Sequence, residues 1–444
     1  MKRIFNMFTI ICLFAGTAFA QNTDTSATQN KTVRLQGVSI IPGDTLSVYG
    51  RLQGYGFYEN LKDYTLNNNR VYLYLKEARF GVKDHYDGAT FDFQMELGGE
   101  DQTISTGVAL TLLDMSADIP LMGNTFIKVG QFKVPFGREQ MTYEGSFFFN
   151  DYSIAYEGTK DGRDVGAALH GNAGLFTGTL GAFTGGGIDV PLRFLPENLS
   201  APELVGRFGI NDGYDNNNLD LSQVDRGPNG YAIDVDGLFM RDSRIGHSTV
   251  LNVKTYDKNL IIDGDWNPYI GVAPNPENFS EGDYWQLGLD GGVRSTVDKE
   301  TYSGEWEADY EGYSNVYGGL HLATGRAQFM MRSDHLGFGI QYSAIEPDQN
   351  FAYVSGGKTY NAGLGTQVIN QIAPGVQYFF NNRNLKLGID FPIVFNDPVV
   401  NEPGVGAYSL TDMQDQITVI TDGVKSQPVR QTVVQARLQV QYEF

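Results

Sequence analysis

The chain has 444 residues, with 32 Lys/Arg against 52 Asp/Glu, a formal charge of −20 and only 19% charged residues. That acidity excludes a general nucleic-acid binder, which needs a basic footprint. With 54 Gly, 28 Phe and 25 Tyr, the composition is poor material for a helical bundle and suits strands joined by tight turns.

Residues 1–20 read as a Sec signal peptide. Lys2 and Arg3 precede a mostly apolar run from Ile4 to Phe19, and Ala18-Phe19-Ala20 is an A-x-A cleavage pattern before Gln21. The sole cysteine, Cys12, lies inside this leader, so the exported chain is expected to hold no disulfide and no thiolate metal site. Loss of Lys2 and Arg3 takes the formal charge from −20 to −22. No later run of 18 apolar residues offers a transmembrane helix. Two classes remain: an exported soluble β protein, or an outer-membrane barrel whose lipid contact is hidden in alternation.

Residues 21–44, rich in Thr, Asn and Gln and ending near Pro42-Gly43, read as a flexible periplasmic lead. From Thr45 onward the pattern has period two. Ala89, Phe91, Phe93, Met95 and Leu97 alternate with Thr90, Asp92, Gln94 and Glu96. Trp285, Leu287, Leu289 and Val293 alternate with Gln286, Asp290 and Arg294. Tyr302, Gly304, Trp306, Ala308 and Tyr310 oppose Ser303, Glu305, Glu307, Asp309 and Glu311. Leu336, Phe338, Ile340 and Tyr342 continue the pattern, as do Leu385, Leu387, Ile389 and Phe391 against Lys386, Gly388 and Asp390. About ten such segments approach the 9–11 residues of a tilted membrane strand, longer than the usual sandwich strand. Aromatics near strand ends suit interfacial girdles. Short turns such as Asn381-Asn382-Arg383 contrast with long polar stretches at Gly185–Asn198, Asn211–Asn229 and Asp257–Glu281. This is read as short periplasmic turns against long extracellular loops. At the C-terminus, Thr432, Val434, Ala436, Leu438, Val440, Tyr442 and Phe444 share one face. The strand ends on an aromatic pair, Tyr442 and Phe444, that looks like the assembly signal of bacterial outer-membrane barrels.

Possible chemical sites dissolve under inspection. Glu305 and Glu307 stand two apart on one face, about 6.6 Å, near an inverting glycosidase spacing. They belong, however, to a row of acids with parallel side chains and read as a solvated lumen wall. None of His85, His170, His247, His321 and His335 has metal-ligand spacing, and His170 lacks a neighbouring nucleophile. Asp212–Asp225 is rich in Asp and Asn but fails the EF-hand pattern, leaving only loose ion binding. Gly185-Gly186-Gly187 lacks the Lys-Ser/Thr of a phosphate cradle. No catalytic, cofactor or metal site is expected. Arg51 and Arg79 have two readings: guanidinium forks for phosphate or carboxylate, or strand-face arginines paired with a neighbour such as Glu77.

The stretch Ile127–Gly137, containing Gly130, Gln131, Phe132, Lys133, Pro135 and Phe136, resembles the "GQFK-x-PF" signature of the phosphate-selective porin O and P family. Lys76–Lys83 with Phe91-Asp92-Phe93, and Arg163-Asp164-Val165-Gly166, are similar to further strands of that family. The similarity is clearest from Val48 to Thr184. The resemblance implies an all-β transmembrane antiparallel barrel of 16 strands over 45–444, usually trimeric, with loops folded into the lumen. It also implies transport of small anions such as phosphate. The 400 residues from Thr45 accommodate that number at about 25 per strand and connection. The implied anion preference meets a mixed lumen. Basic residues of lumen parity, the candidate solute contacts, are Arg51, Arg79, Lys83, Arg294, Lys386 and Arg437. They are interleaved with Asp92, Glu96, Asp290, Glu305, Glu307, Asp309 and Asp390. Selectivity follows the charge at the narrowest ring, so a cation-preferring or general pore stays open beside phosphate.

The sequence therefore reads as a passive outer-membrane porin of a Gram-negative bacterium and not an enzyme. Its expected partners are lipopolysaccharide, the barrel-assembly machinery, small ions or phosphate, and further copies in a homotrimer. A non-conducting barrel adhesin or structural surface protein is the alternative outside transport.

Overall fold

The computed structural model describes residues 45–62, 67–97, 110–159, 162–185, 202–215, 221, 223, 227–243, 282–315, 318–347, 352–355, 358–361, 368–381, 384–402, 406–408 and 429–444. The expected leader and lead (1–20 and 21–44), and most of the stretches 185–198 and 257–281, lie outside them.

Long alternating segments become long strands: β1 (Thr45–Lys62), β2 (Asn67–Tyr86), β3 (Ala89–Leu97), β4 (Leu110–Pro120), β5 (Thr125–Lys133), β6 (Arg163–Ala173), β7 (Phe176–Phe183), β8 (Glu203–Asp212), β9 (Gly230–Ser243) and β10 (Gly282–Val297). They continue as β11 (Glu300–Asn315), β12 (Gly318–Arg332), β13 (Leu336–Pro347), β14 (Ala352–Ser355), β15 (Lys358–Asn361), β16 (Ile369–Asn381), β17 (Leu385–Asp390), β18 (Ile393–Glu402), β19 (Gly406–Tyr408) and β20 (Val429–Glu443). β14 and β15 form a separate hairpin, and β19 only pairs antiparallel with the last residues of β18. β17 and β18 are one stave interrupted at Phe391-Pro392, since both pair with β16 on one side and β20 on the other. Sixteen antiparallel staves remain, and β1 pairs with β20 to close the barrel.

Alternation sets which way each side chain faces. Leu180, Leu287, Phe329, Leu438 and Tyr442 are exposed on the outer wall, whereas their strand neighbours Thr179, Gln286, Gln328, Arg437 and Gln441 are buried inside. The terminal Phe444 exchanges both backbone hydrogen bonds with Gly50 at 3.1 Å and presents its ring outward. Apolar surface thus lies on the outside and polar groups face the interior, the inverse of a soluble domain.

One connection departs from expectation. Asn211–Asn229 does not belong with the long loops of the far rim. The turns at Asp87-Gly88, Met122-Gly123 and Asp298-Lys299 lie on the rim that carries Thr45 and Phe444, and both ends of this stretch leave from the same rim. Asn211 N–H donates to Leu175 O at 2.8 Å, and Thr296 Oγ1 donates to Gly227 O at 2.8 Å. Parity and composition cannot reveal this, because the rim of a loop depends on how many strands precede it.

Between β5 and β6, residues 134–162 turn into the lumen. They hold a short helix α1 (Arg138–Met141), a 3₁₀ turn (Glu144–Ser146) and a helix α2 (Ile154–Thr159) that packs on β12 and β13. Nearly every side chain from Val134 to Ala155 is buried.

Candidate functional site

The Gly130–Phe136 motif is where strand becomes insert. Gly130, at φ 117°, lies so close to Met115 O that a Cβ would stand 2.1 Å from it. Gln131 Nε2 donates to Leu112 O and Leu113 O at 2.6 and 2.9 Å. Phe132 meets Phe183 edge-on at 5.1 Å. Lys133 Nζ donates to Gln140 O and Thr142 O at 2.7 and 2.9 Å, and Pro135-Phe136 lead inward. Gln140 ties the two ends of the insert together, donating to Val134 O and Gly162 O and accepting from Gly162 N–H.

The insert has little regular structure, so its backbone polar groups need partners from the wall. Gln441 Nε2 donates to Gly145 O at 2.8 Å, Lys386 Nζ to Phe147 O at 2.7 Å, Gln377 Nε2 to Phe148 O, and Lys76 Nζ to Asn150 O at 3.1 Å. Asn150 N–H donates to Asp390 Oδ2 at 2.6 Å. Phe148 is the apolar anchor. Its ring lies over Gly337 and Gly339 of β13, beside Met330, Ala373 and Phe379, and a Cβ on Gly339 would stand 2.5 Å from the ring.

Ion pairs fix the insert on three sides. Arg138, fully buried, donates from Nε to Asp290 Oδ1 at 2.8 Å, from Nη1 and Nη2 to both oxygens of Asp215 at 3.2 and 3.1 Å, and to Asp234 at 3.3 Å. Arg207 lies in the same lattice, pairing with Asp234, Asp236 and Asp290 at 3.0, 2.7 and 2.5 Å. Burial opposes the charge on Arg138, but Asp215, Asp290 and Glu305 hold its pKa well above the ordinary value. Glu139 accepts from Ser153 N–H and Oγ at 2.9 and 2.6 Å and pairs with Arg326 at 3.4 Å. Burial raises its carboxyl pKa despite these partners. Glu144 collects Arg51 at 2.6 Å, Arg79, and the Tyr152 hydroxyl at 2.7 Å. Asp151 pairs with Lys76 at 2.5 Å and Arg437 at 3.6 Å. Burial alone would raise its pKa, but these cations and hydrogen bonds hold it below the usual carboxylate range. Charges so far from water persist only when paired in this way.

The six basic residues singled out in sequence all lie on the lumenal face. Arg51 also pairs with Glu77 at 2.5 Å, and Arg79 with Glu77 and Glu96, both at 3.1 Å, so the paired reading of these arginines describes the structure. Arg437 pairs with Asp390 at 3.0 Å. Arg294 donates to the carbonyls of Pro228, Gly213 and Tyr214, and Lys386 to Phe147. Lys83, 3.4 Å from Asp92, has the most open side chain of the six, 43% exposed. The acid row does not form a solvated wall. Glu305 accepts from Tyr214 Oη and Gln328 Nε2 at 2.8 and 2.7 Å, and Glu307 accepts from Glu139 N–H at 2.9 Å. His170 is a buried lumenal residue bonded to Thr179 Oγ1 at 2.9 Å. Among the described residues no cluster of His, Cys, Asp and Glu is arranged for a metal. Sequence reasoning passed over Arg138, Glu139, Phe148, Asp151, Arg207 and Arg326. The visible signals were an Arg-Glu-Gln directly after the motif and three consecutive phenylalanines inside a polar connection.

A closed sixteen-stave barrel with the β5–β6 connection folded into a charged lumen is the architecture of an outer-membrane channel. Residues 46–200 match the family model described as phosphate-selective porin O and P, which bears out the resemblance over a little more than a third of the chain. The fold is similar to that of an anion-selective porin from Comamonas acidovorans, at 12% identity and TM-score 0.52, over 90% of this chain and 100% of that one. It is similar as well to the outer membrane channel DcaP of Acinetobacter baumannii, at 12% identity and TM-score 0.53, over 92% and 100%. OmpT of Vibrio cholerae in its trimer form matches at 10% identity and TM-score 0.50, over 90% and 99%. No curated protein matches the sequence.

Proposed function

We propose that the protein is a passive porin, through which small hydrophilic solutes diffuse down their gradients past the inserted segment. The observation that carries this reading is the insert itself: a rigidly anchored segment that narrows a polar lumen inside a porin-type barrel. For selectivity, the lumenal charges favour cations. Among the described buried side chains of β8–β11, the acids Glu203, Asp234, Asp236, Asp290, Glu305, Glu307, Asp309 and Glu311 outnumber the basic residues Arg207 and Arg294. Five of the six candidate basic residues already spend their donors on protein carboxylates or carbonyls rather than on a ladder for anions. Phosphate transport is the second reading, favoured by the family description over 46–200. Lys83 is the candidate that remains open to a passing solute. Insertion in the outer membrane with lipopolysaccharide around the apolar belt, delivery by the barrel-assembly machinery after leader cleavage, and assembly as a homotrimer complete the proposal.

Single-channel recording of the purified protein in a planar bilayer tests it, under a KCl gradient and then with added phosphate. Stepwise conductance with a cation-leaning reversal potential and no phosphate block is expected. An anion-leaning reversal with phosphate block would transfer the assignment to the second reading. Silence from a folded, heat-modifiable barrel would refute the porin and favour an adhesin or structural surface protein.

A further inference from the structure

The β8–β9 connection leaves the rim of short turns, where a porin-type barrel has little need of length, yet it runs from Gly213 to Asn229. Its described residues are not spread on the rim. Tyr214, Leu221 and Gln223 are at most 4% exposed. They meet the insert, which enters from the opposite rim.

Three different interactions join the two segments. Asp215 receives Arg138 through both carboxylate oxygens, at 3.2 and 3.1 Å. Leu221 forms a short parallel backbone pairing with the insert: Tyr143 N–H donates to Leu221 O at 2.9 Å, and Leu221 N–H to Met141 O at 3.4 Å. Gln223 Oε1 accepts from Phe148 N–H at 3.1 Å, and its own N–H donates to Ser146 Oγ at 3.3 Å. The near end is fixed to the barrel. The Tyr214 ring is within cation–π reach of the guanidinium groups of Arg138 and Arg294, 5.4 and 5.1 Å away, and its hydroxyl donates to Glu305 at 2.8 Å. Arg294 grips the carbonyls of Gly213, Tyr214 and Pro228 at both ends of the connection.

α1 spans only four residues, and beyond the Thr142 amide, which donates to Arg138 O at 2.9 Å, it caps none of the amides that follow. Those of Tyr143 and Phe148 are met from the β8–β9 connection. We propose that this connection is a brace, built from the periplasmic side, that holds the constricting insert at its working height. Asp215, Leu221 and Gln223 are its positioning residues. The role in permeation rests on the channel reading; the mechanical role does not. The width of the pore is then set jointly from its two mouths, and a change at the periplasmic mouth alters permeation without touching the insert.

The test uses the full refolded barrel. Hydrogen exchange is followed on peptides covering 138–149 in the wild type and in Asp215→Asn/Gln223→Ala, with single-channel conductance recorded on both. Loss of a charge-assisted pair and of a hydrogen bond to a backbone amide should accelerate exchange at Tyr143 and Phe148 on the order of tenfold to a hundredfold. Conductance should become larger or fluctuate between levels. Exchange equal to the wild type would overturn the brace. A wild type without conductance would overturn the channel reading, and the exchange comparison would still decide the brace. Should the double variant fail to fold, Thr142→Cys/Leu221→Cys takes its place, because bridged residues lie within disulfide reach. A disulfide that forms on folding and quiets the conductance fluctuations supports the proposal, and two thiols that stay free in the folded barrel overturn it.

Discussion

Replacing Phe148 by alanine removes one ring and leaves every backbone anchor of the insert in place. Gln377 still donates to the carbonyl at residue 148 and Gln223 still accepts from its amide. What disappears is the ring in the socket of Gly337, Gly339, Met330, Ala373 and Phe379, together with its edge-on contact with Phe149 at 5.2 Å. Truncating a buried phenylalanine costs about 3–5 kcal/mol. The lower end applies here, since the lumen is polar and water can enter the vacated socket. About 3 kcal/mol raises the fraction of time the insert spends detached by about a hundredfold. The barrel wall is untouched, because none of its ladder hydrogen bonds involves residue 148. Heat-modifiable migration on gels should therefore match the wild type, while single-channel traces show wider or flickering openings and amides 145–150 exchange faster. A folded Phe148→Ala barrel with wild-type conductance and exchange would refute the view that this ring holds the constriction.

Other perturbations separate the contributions. Asp151 has a depressed pKa, so its link to Lys76 and Arg437 is intact above the ordinary aspartate value, about 3.9, and is lost as pH falls through the lower folded value. Channel recordings should hold steady on acidification to about pH 4 and turn noisy below it, and Asp151→Asn should be noisy at neutral pH without that acid step. Glu139, raised by burial, acts in the opposite sense on acidification, so the Asn variant is the one that isolates Asp151. Trp306→Arg places a charge on the lipid face and should reduce membrane insertion by about 2–4 kcal/mol, measured as folded yield in vesicles. Glu307→Arg, on the lumenal side, should insert better than it, and the reverse order would invert the facing assigned to β11. Deleting Phe444 removes the two backbone bonds to Gly50 and should lower the amount of assembled barrel in membranes. Wild-type levels would contradict its role at the closing strand.

The strand plan was open to reading because its cause is local. Membrane outside and polar lumen inside impose a two-residue period, and Ala89–Leu97 or Thr432–Phe444 displays it without reference to the rest of the chain. The shared parity of the basic and acidic residues was legible for the same reason. Their partners were not legible, because the lumen brings together residues far apart in sequence: Arg138 meets Asp290 across 152 positions, and Gln441 reaches Gly145 across 296. The row from Glu305 to Glu311 therefore looked like a wet surface when it is one half of a packed lattice. The Gly130–Phe136 motif was visible only by resemblance. Its physical reason, a strand that must turn sharply inward with its lysine capping α1, emerges from the fold.

The closure of the barrel has a kinetic consequence. The first stave and the last are hydrogen-bonded neighbours, with Gln53 Nε2 donating to Gln441 Oε1 across 388 positions of chain. Pairing between such distant segments is slow, because chain entropy is lost before any contact compensates it. Until Phe444 is in place, the nascent cylinder carries two unpaired strand edges, each a template for joining another molecule. The time before these two staves pair is therefore when this chain is most exposed to aggregation, and the bonds between Gly50 and Phe444 help to end it.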